Sequence, residues 1–193
     1  PYNIEKPRIK RHANTALNSM PAKTTEAIRF YPIPNQKGAP AMKTGAIILS
    51  AGHHIPQEAF QPMMAVGGTT IIRRIIILLK QADVDPIVVI TGRDGDAVEK
   101  HISKMRVICL RNAGYETTQM YDSVVMGLNY IEDLCQRILI LPVKYPLFLG
   151  DTISQLLSTA SLAACPVYQG RRGHPILISA SFIPALLSYH GPK

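Results

Sequence analysis

Two short stretches hold residues whose types and spacing could do chemistry. In the first, an apolar run, AIILS at residues 46–50, stops at Ala51 and Gly52. Small side chains at the turn of a buried strand leave backbone N–H groups free to donate to a base edge or to phosphate oxygens. Leu49, Ser50, Ala51 and Gly52 are therefore candidates for nucleotide binding. The loop that follows, from His53 to Gln61, has no Lys or Arg, so nothing in it offers a fixed positive charge to a phosphate. Neither GxxxxGK[ST] nor GxGxxG occurs there, which excludes a Walker loop and a dinucleotide fingerprint. In the second stretch, QGRRGHPILIS at residues 169–179, Gly170 and Gly173 flank Arg171 and Arg172. A tight turn of this kind aims guanidinium groups at an anion, with His174 and Pro175 opening the next strand. A plain hairpin with solvated arginines has the same composition.

The elements around these stretches alternate between two periods. Residues 45–50, 85–92, 105–112, 137–143, 162–169 and 174–179 read as strands; the first is a continuous apolar run of the kind buried on both faces. Residues 69–84, 94–104, 116–134, 150–160 and about 180–188 read as helices. Thr69 or Thr70 is the expected cap of the first, and Asp151 or Thr152 that of the fourth. Met120, Val124, Leu128 and Ile131 share one face of the third. Asp94 and Asp96 read as helix N-terminal acids rather than catalytic carboxylates. Strand and helix alternating through short connections predict a three-layer α/β/α domain on a mostly parallel, Rossmann-like sheet. Ligands on such sheets bind outside the carboxyl ends of the strands. That rule selects SAGHH, TGRDG, RNAGYETTQ and PVKYPLF, and with them Gly92 and Asn112 as further nucleotide-binding candidates.

Composition limits the alternatives. Of the +8 formal charge, residues 1–43 contribute +6, from eight Lys or Arg against Glu5 and Glu26. This segment lacks a sustained apolar period and reads as a flexible basic arm or linker, with the domain at residues 44–193. Its charges are scattered and its aromatics few, which disfavours nucleic acid as a partner. No apolar run approaches the roughly 18 residues of a membrane span, and no signal segment is present, so a cytoplasmic protein is expected. Cys109, Cys135 and Cys165 lack CxxC spacing and read as three buried thiols in a reducing compartment. His53 and His54 are adjacent and point to opposite sides of an extended chain, so no metal centre is expected from them.

Taken in order, AIILSAG, ADVDPIVVITG, RNAGYETTQMYDSVVMGL, LILPVKYPLF and PVYQGRRGHPIL resemble the MobA-like nucleotidyltransferases, from about Thr44 to Ser188. The resemblance implies an NTP-transferase fold, a magnesium-bound CTP or GTP, and release of pyrophosphate. It further implies a phosphorylated molybdopterin-type acceptor whose phosphate attacks the nucleotide α-phosphorus. The family's opening motif is similar to LAAGxSxRMGxxK. Leu49, Ala51 and Gly52 match it, and Ser50 is a mild change. His54, Pro56, Glu58 and Gln61 stand where the family has Ser, Arg, Gly and Lys. The family's metal-holding Asp, in a context like PVDxPLF, is here Lys144. Ser123 matches on the nucleotide side, and Gly170, Arg171, Gly173, His174 and Pro175 fall on the acceptor side.

Gln61 and Lys144 thus occupy the catalytic slots with altered chemistry. Nucleotidyl transfer needs positive charge on a departing pyrophosphate, supplied by metal, Arg and Lys. Two functional expectations follow. One is transfer of CMP or GMP to a pterin phosphate. The alternative is an inactive domain that keeps the fold for nucleotide or cofactor binding, or for docking within a larger multi-domain chain. The chain stops at SYHGPK, where family members usually continue, in keeping with that larger parent.

Overall fold

The computed structural model describes residues 28–29, 42–52 and 61–188. Expectations for His53, His54, Pro56 and Glu58, and for most of the arm, lie outside the described residues. The strands are β1 (Ile28–Arg29), β2 (Thr44–Ser50), β3 (Ala65–Val66), β4 (Thr69–Thr70), β5 (Ile87–Thr91), β6 (Ile108–Arg111), β7 (Arg137–Pro142), β8 (Ala163–Tyr168), β9 (Arg171–Arg172) and β10 (Ile176–Ser179). The helices are α1 (Ile71–Gln81), α2 (Gly95–Ile102), α3 (Met120–Ile131), α4 (Gly150–Ser158) and α5 (Ile183–Leu187).

β2, β5 and β7 are buried along their whole length, in keeping with their apolar cores AIIL, IVVI and ILILP. They form the centre of a sheet ordered β1-β8-β10-β7-β2-β5-β6, with β9 attached to β8. The four strands β7, β2, β5 and β6 run parallel, while β10 is antiparallel to both β7 and β8. Side chains alternate across the sheet. Ala46 and Ile48 of β2 pack with α1, α2 and α4, and Ile47 and Leu49 pack with α3 and α5. The result is the expected three-layer α/β/α arrangement. α1 alone buries Ile71, Ile72, Ile75, Ile76 and Leu79, each contributing about 1.5–3 kcal/mol over exposure. Gly127 lets α3 approach β2: a Cβ there would stand 2.7 to 3.1 Å from three side-chain atoms of Ile47, nearest its Cγ2 at 2.7 Å.

Chain order reverses between β2 and β7. β5 and β6 extend the sheet on one side of β2, and β7 begins the other. Such a switch point opens a crevice at the carboxyl ends of the two strands, which places the turn at Ser50–Gly52 opposite residues 142–144.

Several boundaries differ from the sequence reading. Thr69 and Thr70 form the strand β4 paired with β3, and helix α1 starts only at Ile71, with Thr70 as N-cap but without a side-chain cap bond. α4 is capped by Leu149 rather than Asp151 or Thr152, both of which lie within its first turn. β6 begins at Ile108 because Ser103–Met105 form a 3-10 turn and Arg106 takes a left-handed φ of 51°. Of the three cysteines only Cys135 is fully buried; Cys109 and Cys165 are half-buried. Burial nevertheless pushes all three thiols up, away from the reactive thiolate. Ile28–Arg29, inside the basic front segment, pairs with Cys165 and Pro166 at the sheet edge. Among the described residues, no helix is long and apolar enough to cross a membrane.

Candidate functional site

The crevice at the switch point is a cleft of about 570 Å³. Its floor is Leu49, Ala51 and Gly52 from the end of β2, with Pro142 and Val143 from β7. Gln61, the first residue of a 3-10 turn, reaches it from one side. The opposite wall is residues 112–119 together with Met120 and Ser123 of α3.

That wall is held by one side chain. Asn112, 5% exposed, donates from Nδ2 to Thr118 Oγ1 at 2.9 Å and to Ser123 Oγ at 3.1 Å. Its Oδ1 accepts from the Gly114 backbone N–H at 3.1 Å. The carboxamide therefore ties the loop after β6 to the first turn of α3, with both amide hydrogens and its carbonyl in use. Asn112 lines the cleft, but it acts as a brace for the surfaces that would touch a ligand. α3 is further fixed by a capping box in which the Gln119 backbone N–H donates to Asp122 Oδ2 at 2.8 Å.

Two proposed binding residues are elsewhere. Ser50 is on the opposite face of β2 from Leu49 and does not line the cleft; its Oγ is buried without a hydrogen-bond partner among the described residues. Gly92 also lies off the cleft. A Cβ there would stand 2.7 Å from the Ala51 carbonyl and 2.8 Å from Tyr115 Cβ, so its absence lets the β5 loop pass beneath the β2 turn. Asp94 and Asp96 are likewise remote. Asp94 is the N-cap of α2, and Asp96 accepts from Arg111 at 2.7 Å.

A second cleft, of about 650 Å³, adjoins the first. β8 and β9 form a hairpin whose turn residues, Gln169 and Gly170, both have positive φ, 46° and 75°. This is the two-residue turn whose twist suits paired strands, and it explains the glycine. The hairpin sets Arg171 and Arg172 on the cleft wall, next to Gly173 and His174. Gly170 and Pro175 shape the turn and the strand start without lining the cavity. Tyr145 stacks on His174, with ring centroids 4.8 Å apart and planes inclined by 12°. Burial lowers the His174 imidazole below its ordinary value of 6.5, and Lys144 lowers it further, against a hydrogen bond at the Ile140 backbone that raises it. Its Nδ1 is buried without a hydrogen-bond partner among the described residues. Among the described residues the wall is basic, carrying Lys144, Arg171 and Arg172 and no carboxylate.

Lys144 belongs to both clefts. It is exposed, pairs with no carboxylate among the described residues, and holds its Nζ 5.1 Å from the centroid of the Tyr145 ring. Among the described residues the first cleft carries only two charged side chains, Lys144 and Glu116, and the Tyr115 hydroxyl donates to Glu116 at 3.1 Å.

These donors do not fit the divalent ion that the family resemblance implies. The β7 carboxylate slot carries an ammonium group. At about 4 Å and an effective dielectric of about 20, each unit-charge pair is worth about 4 kcal/mol, here repulsive toward a cation and reduced by solvent at an exposed side chain. Among the described residues no group of three or more His, Cys, Asp or Glu side chains is positioned to share a metal.

Sequence reading missed Tyr115, Glu116, Thr117 and Thr118 on the first wall, and Tyr145, Leu147 and Tyr168 on the second. The rule of strand carboxyl ends had already selected the loop of the first group. Tyr145 and Leu147 lie in PVKYPLF, which the same rule had selected, whereas no local signal marked Tyr168, 72% exposed at the end of β8.

Comparison with known proteins agrees with this geometry. A family model described as the MobA-like NTP transferase domain matches residues 46–193. The fold is similar to Rv0371c from Mycobacterium tuberculosis H37Rv, at 18% identity and a TM-score of 0.67 over 80% of each chain. A manganese complex of Rv0371c aligns at 19% identity and 0.59, again over 80% of each chain. A nucleotidyl transferase from Methanothermobacter aligns at 17% and 0.64 over 77% of each. A search of curated protein sequences finds no match. The match to the family model spans most of the chain, from Ala46 in β2 onward, and the chain belongs to the MobA-like NTP transferase family.

Proposed function

We propose that this domain binds a nucleoside triphosphate, CTP or GTP, in the first cleft and an anionic, molybdopterin-type ligand in the second, without ordinary magnesium-dependent transfer. The observation that carries this reading is Lys144, a cation that pairs with no carboxylate among the described residues, where the two clefts meet and where the family resemblance calls for a metal-holding Asp. Support for nucleotide binding comes from the open turn at Gly52, where a Cβ would meet nothing within 4 Å, and from the braced wall at residues 112–119. Support for an anionic second ligand comes from Arg171, on a wall where Lys144 and Arg172 add positive charge and the described lining residues include no carboxylate. Substitution of the family Lys by Gln61 removes a further cation from the phosphate side.

A second reading is transfer of CMP or GMP to the phosphate of such an acceptor, with pyrophosphate leaving. It is favoured by the adjacency of the two clefts, which share Lys144 and so would bring donor and acceptor phosphates to one place. Incubation with each NTP, magnesium and molybdopterin, read by pyrophosphate release alongside calorimetric binding, separates the two. Binding without turnover is the expected result, and turnover above background establishes the second reading instead.

A further inference from the structure

The charge at the junction of the clefts defines how a triphosphate would be held. We infer that the domain binds its nucleotide independently of a divalent ion, with the Lys144 ammonium in direct contact with the phosphates. The inference rests on the nucleotide-binding reading of the first cleft.

Three observations carry it. Among the described residues Lys144 is the only cation lining the first cleft, and its side chain is exposed and pairs with no carboxylate there, so it meets a polyanion without breaking an ion pair among them. Its present contact is the Tyr145 ring face at 5.1 Å, a weak hold that a phosphate readily outcompetes. Finally, its backbone is fixed at the end of β7: the Val143 N–H donates to the Leu49 carbonyl at 2.9 Å and the Tyr145 N–H to the Pro142 carbonyl at 3.1 Å. The ammonium is therefore tethered beside the β2 turn on rigid backbone, with only the flexible stem free to move. A metal-dependent site gains affinity when magnesium is added, because the ion bridges protein carboxylate and phosphate oxygens. Here magnesium would compete with Lys144 for those oxygens, so it should weaken binding or leave it unchanged.

Titration calorimetry of the whole chain with CTP, GTP, cytidine and guanosine, each in EDTA and in excess magnesium, tests this directly. At least one triphosphate should bind in EDTA as tightly as in magnesium or more tightly. Lys144→Ala should then lose about tenfold for that triphosphate, the effect of one charge-assisted hydrogen bond, while affinity for its nucleoside stays the same. Lys144→Asp with Gln61→Lys should abolish the binding seen in EDTA. A threefold or larger gain with magnesium for the native chain overturns the inference, as does an Lys144→Ala variant with unchanged triphosphate affinity; either outcome leaves nucleotide binding standing. Absence of binding by all four ligands overturns the nucleotide-binding reading and the inference with it. Circular dichroism of each variant checks the fold, which an exposed side chain should not disturb.

Discussion

Replacing Asn112 by Ala tests whether one buried carboxamide holds the wall of the candidate nucleotide cleft. The substitution removes two donated hydrogen bonds, to Thr118 Oγ1 and Ser123 Oγ, and one accepted from the Gly114 N–H. At about 1 kcal/mol net for each, the loss is about 3 kcal/mol. The vacated space and the Ser123 hydroxyl, 4% exposed and deprived of its donor, bring the total to about 3–4 kcal/mol. For a chain of this size, about 2–4 °C of melting temperature goes with each kcal/mol, so the midpoint should fall by about 6–15 °C. Urea unfolding of Asn112→Ala, Ser123→Ala and the double variant gives the decisive measurement. The double should cost about 0.5–1.5 kcal/mol less than the two singles together, because both singles lose the same bond. Hydrogen exchange at the Gly114 and Thr118 amides should speed up more than exchange in β5 or β7. An Asn112→Ala cost below about 1 kcal/mol, or strict additivity in the cycle, refutes the brace.

Three other perturbations follow from the packing and charge. Gly127→Ala places a Cβ 2.7 Å from Ile47 Cγ2 in a central strand with no exposed surface. Overpacking of about 1–3 kcal/mol outweighs about 1 kcal/mol of helix propensity gained, so thermal unfolding should show a net loss, larger for Gly127→Val. Arg137 is buried and donates at 2.8 Å to the carbonyls of Thr159 and Leu157 just beyond and within the end of α4. Arg137→Lys cannot reach both with one ammonium and should cost about 1–3 kcal/mol in urea unfolding. His174 has its folded pKa lowered by burial, so between 6.5 and that lower value the unfolded chain binds the proton that the folded chain refuses. Its contribution to stability is present above 6.5 and declines as pH falls below it. Unfolding measured from pH 7 to pH 5 should therefore fall less steeply in His174→Gln, and an unchanged slope contradicts the burial argument.

Local sequence made the central strands readable because they are buried on both faces. AIIL, IVVI and ILILP are apolar throughout, and no helix face explains such short unbroken runs. Helix starts were less legible. Leu149 caps α4 although Asp151 and Thr152 are better cappers, and Thr69–Thr70 entered a strand because β3 was there to pair with. Those outcomes depend on neighbours, which a local pattern does not record.

The candidate site divides in the same way. Sequence by itself determined the parallel α/β class, the loops at the strand ends, and the loss of positive charge from the loop after β2, because burial period and residue charge are local properties. Only the tertiary structure decided which loops meet. It placed β2 beside β7, joined Leu49, Ala51, Gly52, Gln61, Asn112 and Ser123 around one cleft, and set Gly92 beneath the turn and Ser50 on the other face. It also set Lys144 between that cleft and the one lined by Arg171 and Arg172. Strand order depends on long-range pairing and on the space beneath each turn, and neither is written in any single stretch of chain.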